Sequence, residues 1–375
     1  MSHMVNYPLL ETKGGHLFFD GKDLVEIAKN YGTPVYVFSE RRLKENVREI
    51  LDAFRHYHPN TTLHYASKCE ATIANLQIIR EAGSDIEVNS GGELYKALYA
   101  GFTPEQIIFN GVAKTVSELE YAINQGIKSI NVDSLFEMKR IIETAKRLDK
   151  KANVTVRFVP EVSTGVVKGN ETGTHETKFG VTQDKLVETI ELCLSNKEYI
   201  NLHGIHFHIG TQTYHLESFV EAFQVMLREA IYIYEATGYK AKTLNIGGGL
   251  PVPHFIDIEA RQYMPYNIYH MFRGVLSTKD IAEKITAELR PESIAKLAGD
   301  KYSDFFEGCE LIIEAGRKVV ADAAVLLSTV ENEKRRDSID EDWIMIDAGF
   351  NTLLEAKTYN WYYHMICANK SEEAH

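Results

Sequence analysis

Leu63-His64-Tyr65-Ala66-Ser67-Lys68 is an alternating, β-prone run that ends abruptly on a lysine. A lysine at the carboxyl end of a buried strand, with Tyr65 and Ala66 beneath it, loses hydration unless its charge is neutralised or covalently used. Two readings follow: a strand-end lysine that snorkels to water, or an amine placed for Schiff-base chemistry. The rest of the chain separates them.

The run opens a series. Short β-branched or aromatic runs begin near Thr61, Ser84, Gln106, Ser129 and Asn153, about 22 to 24 residues apart, with a helical pattern between each pair. Three more follow at longer intervals: Leu202 to Gly210, Thr243 to Gly249 and Cys309 to Gly316. Eight strands, each followed by a helix, over roughly 260 residues predict an α/β fold, a parallel (β/α)8 TIM barrel. An open doubly wound sheet is the alternative. A barrel gathers the carboxyl ends of all its strands at one mouth, and here nearly every run ends on a chemically useful group. These are Lys68; Glu87 and Ser90; Asn110; Asp133; His208 and Thr211; Gly247, Gly248 and Gly249; Glu314 and Arg317. Together they suggest a site.

Upstream, the pattern gives a short strand at His16 to Phe19, a helix at Leu24 to Tyr31 and a strand at Pro34 to Phe38. With Ser39 as N-cap, a long amphipathic helix then runs to about Tyr57. Met1-Ser2-His3-Met4 reads as an appended tag and is set aside.

Composition bounds the function. The 375 residues are 44% hydrophobic, enough for a large core, and carry a net charge of -12, which argues against nucleic acid or an anionic membrane as the main partner. Cys69, Cys193, Cys309 and Cys367 show no paired spacing for zinc or disulfides, so a reducing compartment is expected. No stretch approaches eighteen apolar residues, and a soluble, cytoplasmic protein is expected.

Taken singly, each group has a plain alternative. Gly247-Gly248-Gly249 offers three consecutive backbone N–H groups as a phosphate nest, or is only a tight turn. Glu314-Ala-Gly-Arg317 sets a carboxylate and a guanidinium across a glycine that admits a ligand, or forms a surface ion pair. His206 and His208 share one strand face, but no nearby Cys, Asp or Glu completes a ligand set, and no metal is expected.

In order and spacing, Tyr65-Ala-Ser-Lys68, Ser90-Gly-Gly-Glu93, Lys178-Phe-Gly180, His208-Ile-Gly-Thr-Gln212, Gly247-Gly-Gly249, Glu314-Ala-Gly-Arg317 and Asp347-Ala-Gly-Phe-Asn351 resemble the diaminopimelate/ornithine decarboxylases. These pyridoxal 5'-phosphate (PLP) enzymes are similar in fold to alanine racemase. The resemblance covers about Pro34 to Tyr359. It implies a homodimer with shared active sites, and a PLP barrel (37–320) joined to a β-domain built from the N-terminal segment (1–36) and the C-terminal part (321–375). It also implies a decarboxylase acting on a small-molecule amino acid, with a racemase on the same barrel and a non-catalytic PLP-binding protein as rivals.

Carried over residue by residue, Lys68 matches the lysine that bonds to the cofactor, and Glu314 the acid that pairs with the pyridine nitrogen. Thr211, Gly247, Gly248, Gly249, Gly316 and Arg317 fall on the phosphate contacts, with Thr211 where the family usually has serine. His208 matches the histidine stacked on the ring. Glu87 sits where relatives often have aspartate, and Tyr359 falls on a tyrosine at the cofactor.

Three departures bear on function. The family's C-terminal Cys-Glu-Ser-Gly-Asp-like segment has no counterpart, since Cys367 is followed by Ala-Asn-Lys. The chain is then truncated, or a partner chain completes the β-domain, or the proton donor differs. The stretch between Gly249 and Glu314 is long, and its aromatic run Tyr263 to His270 is either a lid or surface packing. Lastly, diaminopimelate decarboxylases continue the Asp-Ala-Gly motif with Asn-Asp-Leu-x-Arg-Pro-Ala-Leu-Tyr, whose arginine helps hold the distal carboxylate. Here Glu355 falls at that arginine, with Lys357 two residues on. Either the local register slips and Glu355 faces solvent, or the reversal of charge predicts a substrate without a free distal carboxylate, such as a basic amino acid or a conjugated amino-acid group, in preference to meso-diaminopimelate.

Overall fold

The computed structural model describes residues 9–163, 173–174, 176–252, 276–336, 338, 341–354, 363 and 365–372. These form two compact units. One is drawn from the chain through Arg42 and from Ala321 onward, the other from Leu43–Val252 and the chain leading up to Val320.

The first unit opens with a three-stranded antiparallel sheet, β1 (Leu10–Lys13), β2 (His16–Phe19) and β3 (Lys22–Asp23). Asp23 ends the sheet by capping the helix Leu24–Tyr31, its carboxylate accepting the N–H groups of Val25 and Glu26. Strand β4 (Val35–Phe38) follows, and Ser39 then caps the helix Glu40–Arg55 through the Arg42 N–H at 3.1 Å. That helix stops two residues short of Tyr57.

The second unit is a closed barrel of eight parallel strands: β5 (Thr61–Ala66), β6 (Asp85–Val88), β7 (Ile107–Phe109), β8 (Ser129–Val132), β9 (Ala152–Arg157), β10 (Ile200–His206), β11 (Thr243–Asn245) and β12 (Glu310–Ile313). Closure comes from β12 pairing with β5, Leu311 opposite Thr61, which excludes the open doubly wound sheet. Helices alternate with most of these strands, entered through short turns with side-chain caps such as Ser90, Thr115 and Ser134.

Alternation along the strands separates two faces. Leu63, Tyr65, Ile86, Val88, Phe109, Ile130, Val132, Val154, Val156, Ile205, Leu244 and Leu311 are buried, as a parallel sheet covered by helices requires. The intervening positions point into the barrel, and they are unusually polar for a lumen normally filled by branched aliphatics. Asn131 on β8 reaches Glu314 beyond β12, a bond between non-neighbouring strands that only the lumen permits. Toward the amino ends of the strands, Glu310 holds Lys128, Thr62 and Thr243, while Gln106 donates to Asp85 at 2.9 Å.

The chain then returns to the first unit. Strand β13 (Ala324–Leu327) pairs antiparallel with β4, and β14 (Val330–Arg336) pairs with β15 (Glu341–Ile346), so both chain ends build the β-domain. Leu9, Leu17, Phe19, Leu24 and Leu327 form its core, with Val35, Val37 and Ile366 packed against them. The Leu17 N–H donates to the Ala368 carbonyl at 2.8 Å.

His64 lies in the lumen, fully buried, 3.6 Å from the Asp85 carboxylate, with neither ring nitrogen hydrogen-bonded among the described residues. Burial holds its imidazole well below the ordinary 6.5, and the charge of Lys128 adds to this. An unfolded chain charges this ring as pH falls below 6.5 whereas the folded chain does not, so acidification removes stability. His64→Leu should therefore narrow the gap in urea midpoint between about pH 7.5 and about pH 5, with stability at the higher pH unchanged or raised. An unchanged gap would show that His64 does not contribute to acid sensitivity.

Candidate active site

At the carboxyl ends of the strands the chain assembles a site within the barrel unit. Strand β5 ends at Ala66 and the chain tightens into a single turn, Ser67–Cys69. Ser67 is buried and donates through Oγ to Glu93 Oε2 at 2.7 Å. That same oxygen accepts the Asn89 N–H at 2.9 Å, so Glu93 fixes the turn that carries Lys68 to the one after β6. Lys68 itself is exposed. The desolvation cost invoked for it from the sequence is not incurred, and the amine stands open at the barrel mouth.

Glu314, just beyond β12, turns inward rather than pairing with Arg317 along the chain. It is buried and accepts amide N–H groups from Asn245 (2.7 Å), Asn110 (2.9 Å) and Asn131 (3.2 Å), with His206 Nε2 at 3.5 Å. Burial opposes its ionisation. His206 and the Asn245 amide outweigh burial, and the carboxyl lies well below the usual range. His206 is held below its own ordinary value by burial, only partly opposed by Glu314. The pair therefore carries its charge as a carboxylate beside a neutral imidazole, the state that three amide donors serve.

Glu87, on β6, is also buried. Its Oε1 accepts from Asn89 Nδ2 at 2.8 Å while Oε2 has no partner among the described residues. Burial pushes this carboxyl up to about 7, against the pull of the Lys68 charge, so it exchanges its proton near neutrality. His208 is desolvated in the same mouth, and burial followed by the charges of Lys68 and Arg157 holds it well below its ordinary value. Its Nδ1 accepts the Gly248 N–H at 3.0 Å, which fixes the ring as a neutral plane.

The glycine turn differs from its sequence reading. The Gly247 N–H donates to Asn245 Oδ1 at 2.9 Å and the Gly248 N–H to His208, so two of the three amides of the expected nest are engaged inside the protein. What demands glycine here is space: a Cβ on Gly248 would strike the Glu314 carbonyl oxygen, and one on Gly316 the Cys69 sulfur. Alongside, Arg317 donates to Thr211 Oγ1 at 2.8 Å, placing a guanidinium and a hydroxyl together. Arg157, at the end of β9, lies over the Phe179 ring at 4.4 Å and 3.5 Å from Asp133, which accepts the Gly180 N–H.

The structure thus brings Lys68, Glu87, His208, Thr211, Gly247, Gly248, Gly249, Glu314, Gly316 and Arg317 into one barrel unit. Glu355, Tyr359, Lys357 and the Tyr263–His270 run lie outside the described residues. Asn131 and Asn245, which the sequence reading passed over, sit at inward positions inside strands. A polar residue breaking an aliphatic alternation is the signal that marks them. These groups fit PLP: an open amine, an ionised carboxylate for a pyridine nitrogen, and a guanidinium with a hydroxyl for a phosphate.

Comparison with known proteins agrees. Residues 42–321 match the family model described as pyridoxal-dependent decarboxylase, pyridoxal binding domain. The diaminopimelate decarboxylase of Methanocaldococcus jannaschii is 33% identical over 371 residues, 97% of this chain and 78% of that protein. Its crystal structure in complex with L-lysine superposes with a TM-score of 0.82 at 32% identity, covering 96% of this chain and 78% of that one. The Helicobacter pylori diaminopimelate decarboxylase complexed with L-lysine gives 0.75 at 25% identity, covering 91% and 76%. The barrel and its mouth are those of a PLP-dependent carboxy-lyase acting on an amino acid. The chain belongs to the diaminopimelate/ornithine decarboxylase family.

Gly248→Ala should cost about 3 kcal/mol, because the added methyl meets backbone that cannot give way. Gly92→Ala, in the helix Gly91–Tyr99 with only the Ser90 hydroxyl at 3.8 Å, should be neutral or slightly stabilising. Thermal melts of the two variants make the comparison, and equal melting would remove the steric argument.

Proposed function

We propose that the protein removes the α-carboxylate of a diamino acid, with Lys68 Nζ holding PLP covalently and Glu314 accepting a hydrogen bond from its pyridine N–H. The observation that carries this is the buried Glu314 carboxyl, met by three amide donors, in a barrel mouth that also presents an open Lys68. When bound, PLP supplies the electron sink that accepts the bonding pair left as CO₂ departs. Arg317 and Thr211 would hold the phosphate, and the neutral ring of His208 would stack on the cofactor. Glu87 is poised to exchange a proton with Lys68 Nζ, since its carboxyl is held up to about 7 and feels the lysine charge. Tyr359 belongs to the cofactor site on the strength of the family resemblance. A homodimer with shared sites is proposed on the same ground, and a cytoplasmic location on the unpaired spacing of the cysteines. Among the described residues no helix is long and apolar enough to cross a membrane.

Lys68→Ala should leave no borohydride-reducible link between protein and PLP, read by mass spectrometry of the reduced protein. Retention of such a link would move the attachment to another lysine.

For the substrate, Glu355 in place of the arginine favours a distal ammonium over a distal carboxylate, by about a few kcal/mol in a dry site. The relatives' names favour diaminopimelate as a second reading. Measured kcat/KM should rank lysine or ornithine above meso-diaminopimelate, and Glu355→Arg should reverse the order. A wild type that clearly prefers diaminopimelate decides for the second reading.

A further inference from the structure

A carboxylate offers about four lone-pair sites on its two oxygens. On Glu314, Asn131 and Asn245 occupy Oε1 and Asn110 occupies Oε2. The fourth place, on Oε2, accepts a hydrogen bond from no described residue, with His206 Nε2 at 3.5 Å. Three neutral amides, from the ends of β7, β8 and β11, therefore converge on one charge supplied from the end of β12.

The orientation of these amides is fixed by their second bonds. Asn245 Oδ1 accepts the Gly247 N–H, so its NH₂ group must face Glu314. Asn110 Oδ1 accepts from Asn131 Nδ2 at 2.7 Å, which turns the Asn110 NH₂ group the same way. Asn131 Nδ2 itself donates to both Asn110 Oδ1 and Glu314, its Oδ1 accepting from no described residue, and the Asn131 backbone carbonyl accepts Lys114 Nζ at 2.8 Å while that amine pairs with Glu137 at 3.0 Å. An uncompensated amide in this lumen would be costly, whereas an aliphatic would fill the space freely. Amides also carry the same donors at every pH, unlike a histidine or a lysine. The titratable and charged groups around Glu314 are His206 and His208 from β10, Glu87 from β6, His64 from β5 and Arg157 from β9.

We propose that Asn110, Asn131 and Asn245 are positioning residues that hold Glu314 as a carboxylate, leave one acceptor site for the pyridine N–H, and thereby set the charge of the PLP ring nitrogen. This rests on Glu314 being the partner of that nitrogen. Losing one amide makes the carboxylate more basic, and the proton between the two groups moves from the ring nitrogen toward Glu314.

The test uses holoenzyme reconstituted with PLP isotopically labelled at the ring nitrogen, whose NMR shift separates protonated from neutral pyridine. Wild type should read protonated across the neutral range. Asn131→Leu, and Asn131→Ser in case leucine disturbs packing, should raise the neutral fraction about tenfold, as should Asn110→Leu. Glu314→Gln should give the fully neutral signal. If the asparagine variants bind PLP with the wild-type shift while Glu314→Gln moves it, the amides play no such part and the proposal is wrong. If Glu314→Gln also leaves the shift unmoved, the pairing of Glu314 with the ring fails and the proposal falls with it.

Discussion

A carboxylate buried in the lumen of the barrel is the constraint on which the rest of the site depends. Moving such an ion out of water costs several kcal/mol even after the surroundings relax, and far more in the idealised limit. Each hydrogen bond from an amide to a charged group returns about 1.5–3 kcal/mol, so the three amides, with His206 beside them, offset much of that cost. Only a closed barrel brings those three together. Asn110, Asn131 and Asn245 come from strands scattered over some 135 residues, roughly half the length of an ordinary barrel. Closure through β12 and β5 sets Glu314 among them.

The same closure explains why the mouth is stiff. The turn bearing Lys68 is tied by Ser67 to Glu93, whose own helix is capped by Ser90, so the amine is presented by backbone anchored at two adjacent strands. The glycine turn is anchored from both sides, Gly247 by Asn245 and Gly248 by His208. The residue that shapes the Glu314 cradle therefore also shapes the glycine turn packed against the Glu314 backbone. Asn245 does both with one side chain, its oxygen to the turn and its nitrogen to the carboxylate.

The fold was legible because its signal is periodic. Five runs at regular intervals from Thr61 and three at longer ones mark all eight strands, and the polar ends mark the mouth. The site was legible only where a residue ends a run. Asn131 and Asn245 lie within β8 and β11, where a single polar residue among aliphatics looks like a weak strand rather than a ligand of Glu314. Lys68 was named for a cost it does not bear, since exposure at the mouth depends on how a three-residue turn leaves the strand. The glycine nest was overread for a related reason: sequence shows that N–H groups are unobstructed, but not that Asn245 and His208 have already taken them. The task of Glu93 is not visible in its motif, because its partners Ser67 and Asn89 are set by the meeting of two turns.

The motifs that carried the resemblance divide by physical role, and that division explains their joint specificity. Lys68, His208, Glu314 and Arg317 present chemistry to the mouth. Ser90-Gly-Gly-Glu93 caps a helix and clamps the Lys68 turn. In Lys178-Phe-Gly180, Phe179 lies beneath Arg157 while Gly180, at a φ of 69°, donates to Asp133. Asp347 accepts from Thr33, Ser328 and the Thr329 N–H, binding the two ends of the chain into the β-domain. A structural motif of this kind is satisfied only when partners dozens or hundreds of residues away are also in place, Thr33 for Asp347 or Ser67 for Glu93. The motifs are thus not independent tokens: each presupposes the fold that the others need, which is why a chain matching all of them has little freedom to be anything but this barrel with this β-domain.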